Sequence, residues 1–193
     1  MSAGFAILIP AAGAARRMRG RDKLLEPVAG GVPLLGERVA AARATGLPVL
    51  VALPPQAQAR WTCAKDAQII EVAPENGMGG SIAALVRALP PDIDGAMILP
   101  ADMPDISPDD MRAVLAGFAP EQVVRGASAD GQPGHPVLFP RRFFARLARL
   151  SGDDGARAVL RGARVRLVPL PAEHALTDLD TPEDWARWRA RQA

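Results

Sequence analysis

The chain has 193 residues, of which 49% are hydrophobic and 23% charged, with a formal net charge of +2; this suits a single domain over residues 1–193 and argues against intrinsic disorder or a polybasic nucleic-acid arm. Its one cysteine, Cys63, closes no internal disulfide and builds no thiolate metal cluster, as expected of a protein in a reducing, cytoplasmic compartment. The apolar runs are strand-sized, far below the roughly 20 residues that cross a bilayer, and the opening MSAGFAILIP lacks the basic segment of a signal peptide, so neither a membrane nor a nucleic acid is an expected partner.

A first strand is predicted over residues 5–9, and it runs directly into AAGAARRMRGRDK, a small-residue loop that holds Gly13, Arg16, Arg17, Arg19, Arg21 and Lys23. Small side chains let backbone N–H groups approach an anion while Arg and Lys neutralise it, so the loop reads either as a triphosphate cradle or as a glycine turn carrying solvated arginines. It is not a Walker loop, because Lys23 is followed by Leu24. Lys23 and Lys65 are the only lysines among 23 basic residues, and most of the arginines are expected to solvate helices. A lysine retained beside such a loop therefore stands out.

Helical spacing over 34–44, a strand at 49–53, a helix at 56–61 and a strand at 68–72 follow, and then a helix at 81–89 and a strand at 96–99. The last of these ends in LPADMPD, which presents Asp102 and then Asp105 just past a buried strand. In an open α/β sheet the ligand crevice lies beyond the carboxyl ends of the strands. A carboxylate there suits Mg²⁺, which one or two carboxylates plus substrate phosphates usually hold; the alternative is an aspartate that caps its own turn. Asp102 is assigned to metal and Asp105 to the turn.

Further on come a helix at 109–118, strands at 122–124 and 137–139, helices at 142–150 and 156–161, a strand at 165–170 and a last helix at 183–190. Ser107-Pro108-Asp109-Asp110 and Thr181-Pro182-Glu183-Asp184 each offer a hydroxyl N-cap, a proline and first-turn acids. Asp178 or Asp180 could supply a second metal ligand, because the chain must return there to the carboxyl edge of the sheet; Asp180 is preferred. His174 is read as a surface residue, Trp61, Trp185 and Trp188 as packing, and Met18 and Met78 as loop anchors. Strand and helix alternate almost throughout, and several strands lack polar alternation. That predicts a three-layer α/β/α sandwich around a mostly parallel sheet with the first strand near its centre.

Taken together, PAAGAARRMRGRDKLLEPV, ENGMGGSIAAL, LPADMP, GHPVLF, GDDGAR and LDTPEDW resemble the MobA-like nucleotidyltransferase family, in its order and over nearly the whole chain. Within it they look closest to the molybdenum cofactor cytidylyltransferase branch. The resemblance implies a Rossmann-like sheet of the nucleotide-diphospho-sugar transferase type. It implies nucleotide binding by Ala11, Ala12, Gly13, Asn76, Gly79 and Ser81, catalytic roles for Arg17, Lys23 and Asp102, and metal binding at Asp102. It also places His135, Asp153 and Arg157 near the acceptor. Departures are Pro10 for leucine, Ala15 for serine, one extra residue before Lys23, and GMGGSI where many members have GMSSSL.

The chain shows neither a nucleophile elbow nor HExxH. Nucleotidyl transfer needs no protein nucleophile when the acceptor is a phosphate, whose oxygen is already ionised at neutral pH; the protein must align, neutralise and stabilise leaving pyrophosphate. The expected reaction is Mg²⁺-dependent transfer of an NMP, with CTP favoured, to a phosphorylated small-molecule acceptor. The leading acceptor is molybdopterin cofactor, with a molybdoenzyme as client. Alternatives are a sugar- or alditol-phosphate nucleotidyltransferase and a non-catalytic nucleotide or cofactor chaperone. Ala12 bears on the base: in the resembling family the cytidylyl branch carries alanine there and the guanylyl branch glycine, and its methyl is expected to point into the cleft.

Overall fold

The computed structural model describes residues 4–13, 18 and 20–192. The strands are β1 (Gly4–Pro10), β2 (Val49–Leu53), β3 (Gln68–Glu71), β4 (Ile93–Ile98), β5 (Val123–Ala127), β6 (Pro133–Pro140) and β7 (Val165–Pro169). The helices are α1 (Leu34–Arg43), α2 (Gln58–Cys63), α3 (Gly77–Arg87), α4 (Pro108–Ala116), α5 (Phe144–Leu147), α6 (Arg157–Leu160) and α7 (Pro182–Gln192). The strands form one sheet in the order β3-β2-β1-β4-β6-β5-β7.

The period of two along the strands sorts the core into two layers. Ile7 and Ile9 of β1 face one way and pack with Leu35 and Val39 of α1, Val114 of α4 and Trp185 and Trp188 of α7. Ala6 and Leu8 face the other way and pack with Ile82 and Leu85 of α3, Leu147 of α5 and Val159 of α6. Helices thus cover both faces, which is why strands such as β2 read as unbroken apolar runs. Among the described residues no helix is long and apolar enough to cross a membrane.

From β1 the chain builds outward through β2 and β3 and then returns to add β4 on the other side, all in parallel. The switch point of the sheet therefore lies between β1 and β4, at their carboxyl ends, where ligand crevices open in such folds. One strand departs from the expected alternation: β6 is antiparallel to both β4 and β5. β5 and β6 form a hairpin closed by Ser128, whose hydroxyl accepts from the Gln132 N–H at 3.0 Å, with Gly131 at φ +91°. The Asp130-Gly131 dipeptide is a hairpin signal. Because β6 runs backwards, its start rather than its end lies at the carboxyl edge of β4. That carries His135, expected ahead of the strand, into the third position of β6 and toward the switch point.

Two helices differ in extent. α3 begins at Gly77, four residues before the expected start. The helix expected over 142–150 is a 3₁₀ turn at Arg141–Phe143 followed by the short α5.

Candidate functional site

Two loops meet at the switch point. In the loop after β1, Asp22 caps a 3₁₀ turn, Lys23–Leu25, by accepting the Leu24 N–H, and Leu24 is buried beneath it. Lys23 is thereby fixed at the rim. After β4, the Leu99 N–H donates to Leu8 O at 2.9 Å, and the carbonyl of Asp102 accepts the Leu179 N–H at 3.0 Å. This second bond ties the segment before α7 to the loop after β4. Thr181 and Asp184 then form a reciprocal cap that starts α7 immediately after Asp180.

The result is a three-membered cluster. Lys23 Nζ donates to Asp102 Oδ2 and to Asp180 Oδ1, each at 2.6 Å. Burial by itself lowers the Lys23 pKa, but the two carboxylates outweigh it and hold the ammonium above its ordinary value. Asp178 stands apart from this bridge. Partial burial first, and then repulsion from Asp180 and Asp102, push its carboxyl upward. A cation seated between two carboxylate oxygens shows that the pair converges on one point, and hard oxygen donors suit Mg²⁺ or Mn²⁺. With phosphate oxygens from a substrate completing the shell, Asp102 and Asp180 fit a divalent ion.

Two buried arginines, which composition alone assigned to solvent, hold these loops. Arg60 on α2 is 5% exposed. It grips Asp22 through Nε at 2.6 Å and Nη2 at 2.9 Å, and donates through Nη1 to Ala11 O at 2.6 Å and Gly13 O at 2.9 Å. Arg38 on α1 is 2% exposed and donates to the carbonyls of Met103 and Ile106, in the loop that follows Asp102. Each reaches from a flanking helix into one of the two loops of the site. Arg17, with its expected catalytic role, lies outside the described residues.

The other expected nucleotide contacts lie nearby. Gly13 is exposed, and no described residue lies within 4 Å of where its side chain would be. Ala11 donates its N–H to Ala52 O at 3.0 Å, so that group is spent on the sheet. Ala12 corrects an expectation. It is 3% exposed and packs in the layer with Ile82 and Leu85, so its methyl does not project into an open cleft. Asn76 is exposed and lines an open cavity of about 490 Å³ with Gly80, Ser151 and Gly152. The Ser81 hydroxyl donates to Gly77 O at 3.0 Å within α3.

The glycines of GMGG have a packing reason. The Gly79 N–H donates to Gly152 O at 2.7 Å, and a Cβ at Gly79 would lie 2.6 Å from Ser151 O. A Cβ at Gly77 would lie 2.5 Å from Gly152 C and 2.6 Å from Asp153 Oδ1. The start of α3 and the turn carrying Asp153 are therefore in backbone contact, so the expected nucleotide and acceptor segments adjoin. Met78, read as a loop anchor, is instead 45% exposed; Met18 is buried.

On the β6 side, His135 has its Nδ1 enclosed with no partner among the described residues. Burial first, and then the positive charge of Arg125, hold its pKa down at about 4 against an upward pull from Asp102, with Arg157 adding a lesser downward push. Arg125 on β5 was not anticipated. Its Nε donates to Gly134 O at 2.7 Å, and burial followed by the like charge of Arg157 lowers its pKa. His135 is thus a neutral imidazole among arginines. Between pH 6.5 and 4 the unfolded chain takes up a proton that native His135 refuses. Its contribution to stability is therefore complete above about pH 6.5 and is lost as pH falls toward 4. In metal-free buffer, His135→Asn should make the fall in unfolding free energy across that window shallower, by about 2–3 kcal/mol in total, measured by denaturant titration at each pH. Parallel curves for the two proteins would show a solvated ring.

Trp188, Asp105, His174 and Asp110 are tied into the framework around the site. Trp188 donates its indole N–H to Asp105 Oδ1 at 2.7 Å, and Arg191 lies 3.7 Å from Asp105 Oδ2. His174 is not a free surface residue: its Nδ1 is 2.9 Å from Asp110 Oδ2, and Asp110 is also the buried partner of Ser107 in the cap of α4. A loop folding back over a helix start leaves no local mark in the sequence.

An ammonium and two carboxylates thus converge at the switch point of a doubly covered α/β sheet, beside the small-residue loop after β1. Residues 7–169 match the model of the MobA-like NTP transferase domain, and the chain belongs to that family of nucleotidyltransferases. Purine catabolism protein PucB of Bacillus subtilis is 34% identical over 115 residues, covering 58% of this chain and 55% of PucB, so the match spans about half of that relative. The crystal structure of Rv0371c from Mycobacterium tuberculosis superposes with a TM-score of 0.83 at 27% identity, over 97% of this chain and 98% of that one. The same mycobacterial protein has been solved in complex with manganese, matching at 24% identity with a TM-score of 0.82 over 97% and 98% of the two chains. A nucleotidyl transferase from Methanothermobacter shares the fold, with a TM-score of 0.82 at 22% identity over 98% of each chain.

Proposed function

We propose that this nucleotidyltransferase transfers CMP from CTP to a phosphorylated acceptor, molybdopterin cofactor, and releases pyrophosphate, with residues 1–193 as one catalytic unit. The observation that carries the chemistry is the Lys23–Asp102–Asp180 cluster at the switch point. The choice of CTP and of the pterin acceptor rests on the motif resemblance. In this reading an acceptor phosphate oxygen attacks the α-phosphorus as the bond to the β-phosphate oxygen breaks, and pyrophosphate leaves with that electron pair. Asp102 and Asp180 would hold the divalent ion, which supplies charge neutralisation at the phosphates. Lys23 binds the departing phosphates, while Asn76, Gly79 and Ser81 flank base and ribose. His135, Asp153 and Arg157 face the acceptor, with Arg125 adding positive charge beside them.

The test is pyrophosphate release at equal CTP and GTP with Mg²⁺, using molybdopterin and a panel of sugar and alditol phosphates, repeated with Ala12→Gly. Wild type should favour CTP and the pterin. Because the Ala12 methyl is buried in the layer with Ile82 and Leu85 rather than in the cleft, Ala12→Gly should leave the CTP preference largely unchanged. Reaction with a sugar phosphate alone would move the protein to that class. Tight nucleotide binding with no turnover on any acceptor would make it a chaperone.

A further inference from the structure

The Lys23 bridge bears on how a metal enters. Lys23 Nζ contacts an oxygen of Asp102 and an oxygen of Asp180 at the same 2.6 Å, and the three side chains are only 16%, 23% and 28% exposed. The ammonium thus sits where the two carboxylates converge. A Mg²⁺ ion held by Asp102 Oδ2 and Asp180 Oδ1, the oxygens that Lys23 now uses, would approach each to about 2.0–2.1 Å. Two cations cannot share that point: the ammonium and the metal would meet at less than van der Waals separation, with like charges facing.

We infer that the Lys23 ammonium and the divalent ion are alternative occupants of the Asp102–Asp180 pair, so that the ion enters only when Lys23 is released. The inference rests on the assignment of Asp102 and Asp180 as cation ligands. Lysine is suited to such an exchange, because its compact charge rides on a flexible four-carbon stem. The nucleotide supplies the partner that releases it. A triphosphate presented to the loop after β1 offers Lys23 several anionic oxygens and at the same time brings the metal its remaining ligands. Metal and nucleotide are then positively coupled, each favouring the other by the same factor. Without nucleotide the ammonium offsets half the charge of the carboxylate pair and occupies the point between them, so the ion binds weakly. The lysine thereby keeps the two acids from repelling one another before substrate arrives.

The experiment is direct titration of Mn²⁺ without nucleotide, following free Mn²⁺ by electron paramagnetic resonance, on wild type, Lys23→Met, Lys23→Gln, Asp102→Asn and the double variant Lys23→Met/Asp102→Asn. Circular dichroism and melting curves report folding, and Lys23→Gln replaces Lys23→Met if the latter does not fold. If the ammonium occupies the pair nine-tenths of the time or more, apparent affinity is cut by that fraction, so removing it should tighten Mn²⁺ binding about tenfold or more. The gain should vanish in the double variant. Equal or weaker binding by both Lys23 variants, with Asp102→Asn still lowering affinity, overturns the exchange but leaves the ligand assignment standing. Binding that is indifferent to Asp102→Asn in every background overturns both.

Discussion

Asp102→Asn is expected to lower nucleotidyl transfer by about 10²-fold or more, the scale at which loss of one electrostatic group in a transition state is felt. The substitution keeps shape and one acceptor oxygen but removes the negative charge that, with Asp180, would hold the divalent ion. The fold has little stake in that charge. What ties this loop to the segment before α7 is the Asp102 carbonyl, which accepts the Leu179 N–H at 3.0 Å, and an asparagine retains it. Lys23 also keeps Asp180 at 2.6 Å. The melting temperature should therefore move little while turnover collapses, measured as pyrophosphate release at saturating nucleotide and cation. A near-normal rate would make Asp102 a turn residue whose carboxylate merely neutralises Lys23.

Much of this site was legible because its signals are local. Asp102 follows an unbroken apolar strand, and only a carboxyl edge places an acid just past such a strand. Ser107 and Thr181 announce their helices within four residues, and both caps form as written. Asp180 followed from the need of the chain to re-enter the site. Part of what brings it there, the backbone bond from Leu179 to Asp102 O, has no sequence mark. A mostly parallel sheet was expected and is found, but that β6 is the antiparallel strand could not be told from its apolar run, because direction is not a property of composition. Only the Asp130-Gly131 turn between them carries that information. Gly79 stands where many relatives of the resembling family carry serine, and the fold gives the reason here: a side chain would strike Ser151 O. The buried arginines were the least visible. In a chain with 23 basic residues and only two lysines, Arg38 and Arg60 look like all the other arginines. Nothing short of the fold distinguishes a guanidinium that grips carbonyls from one that meets water.

Arg60→Met is expected to destabilise the protein by about 2–4 kcal/mol, a figure for breaking a buried ion pair reduced because the Asp22 side chain is 28% exposed. For a chain of this size that lowers the melting temperature by roughly 5–15 °C. The loss has two parts. Asp22 keeps its negative charge without the bidentate fork that neutralised it, and the carbonyls of Ala11 and Gly13 lose their shared donor. The first part is testable separately: Asp22→Asn added to Arg60→Met removes the stranded charge, so the double variant should recover a portion of the stability of the single one. Arg60→Lys should not rescue, because one ammonium on a thin stem cannot meet a carboxylate edge-on and two carbonyls at once. The kinetic consequence follows from peptide geometry. In a planar trans peptide the N–H points opposite to the C=O, so holding the Ala11 carbonyl toward Arg60 turns the Ala12 N–H to the other side. Releasing that carbonyl frees the peptide to rotate, and releasing Asp22 loosens the turn that presents Lys23. Residual activity of Arg60→Met, assayed well below its melting temperature, should therefore show a raised KM for the nucleotide with a smaller effect on the KM for the acceptor. If the variant melts within a degree of wild type and binds nucleotide normally, Arg60 is only filling space beneath the loop.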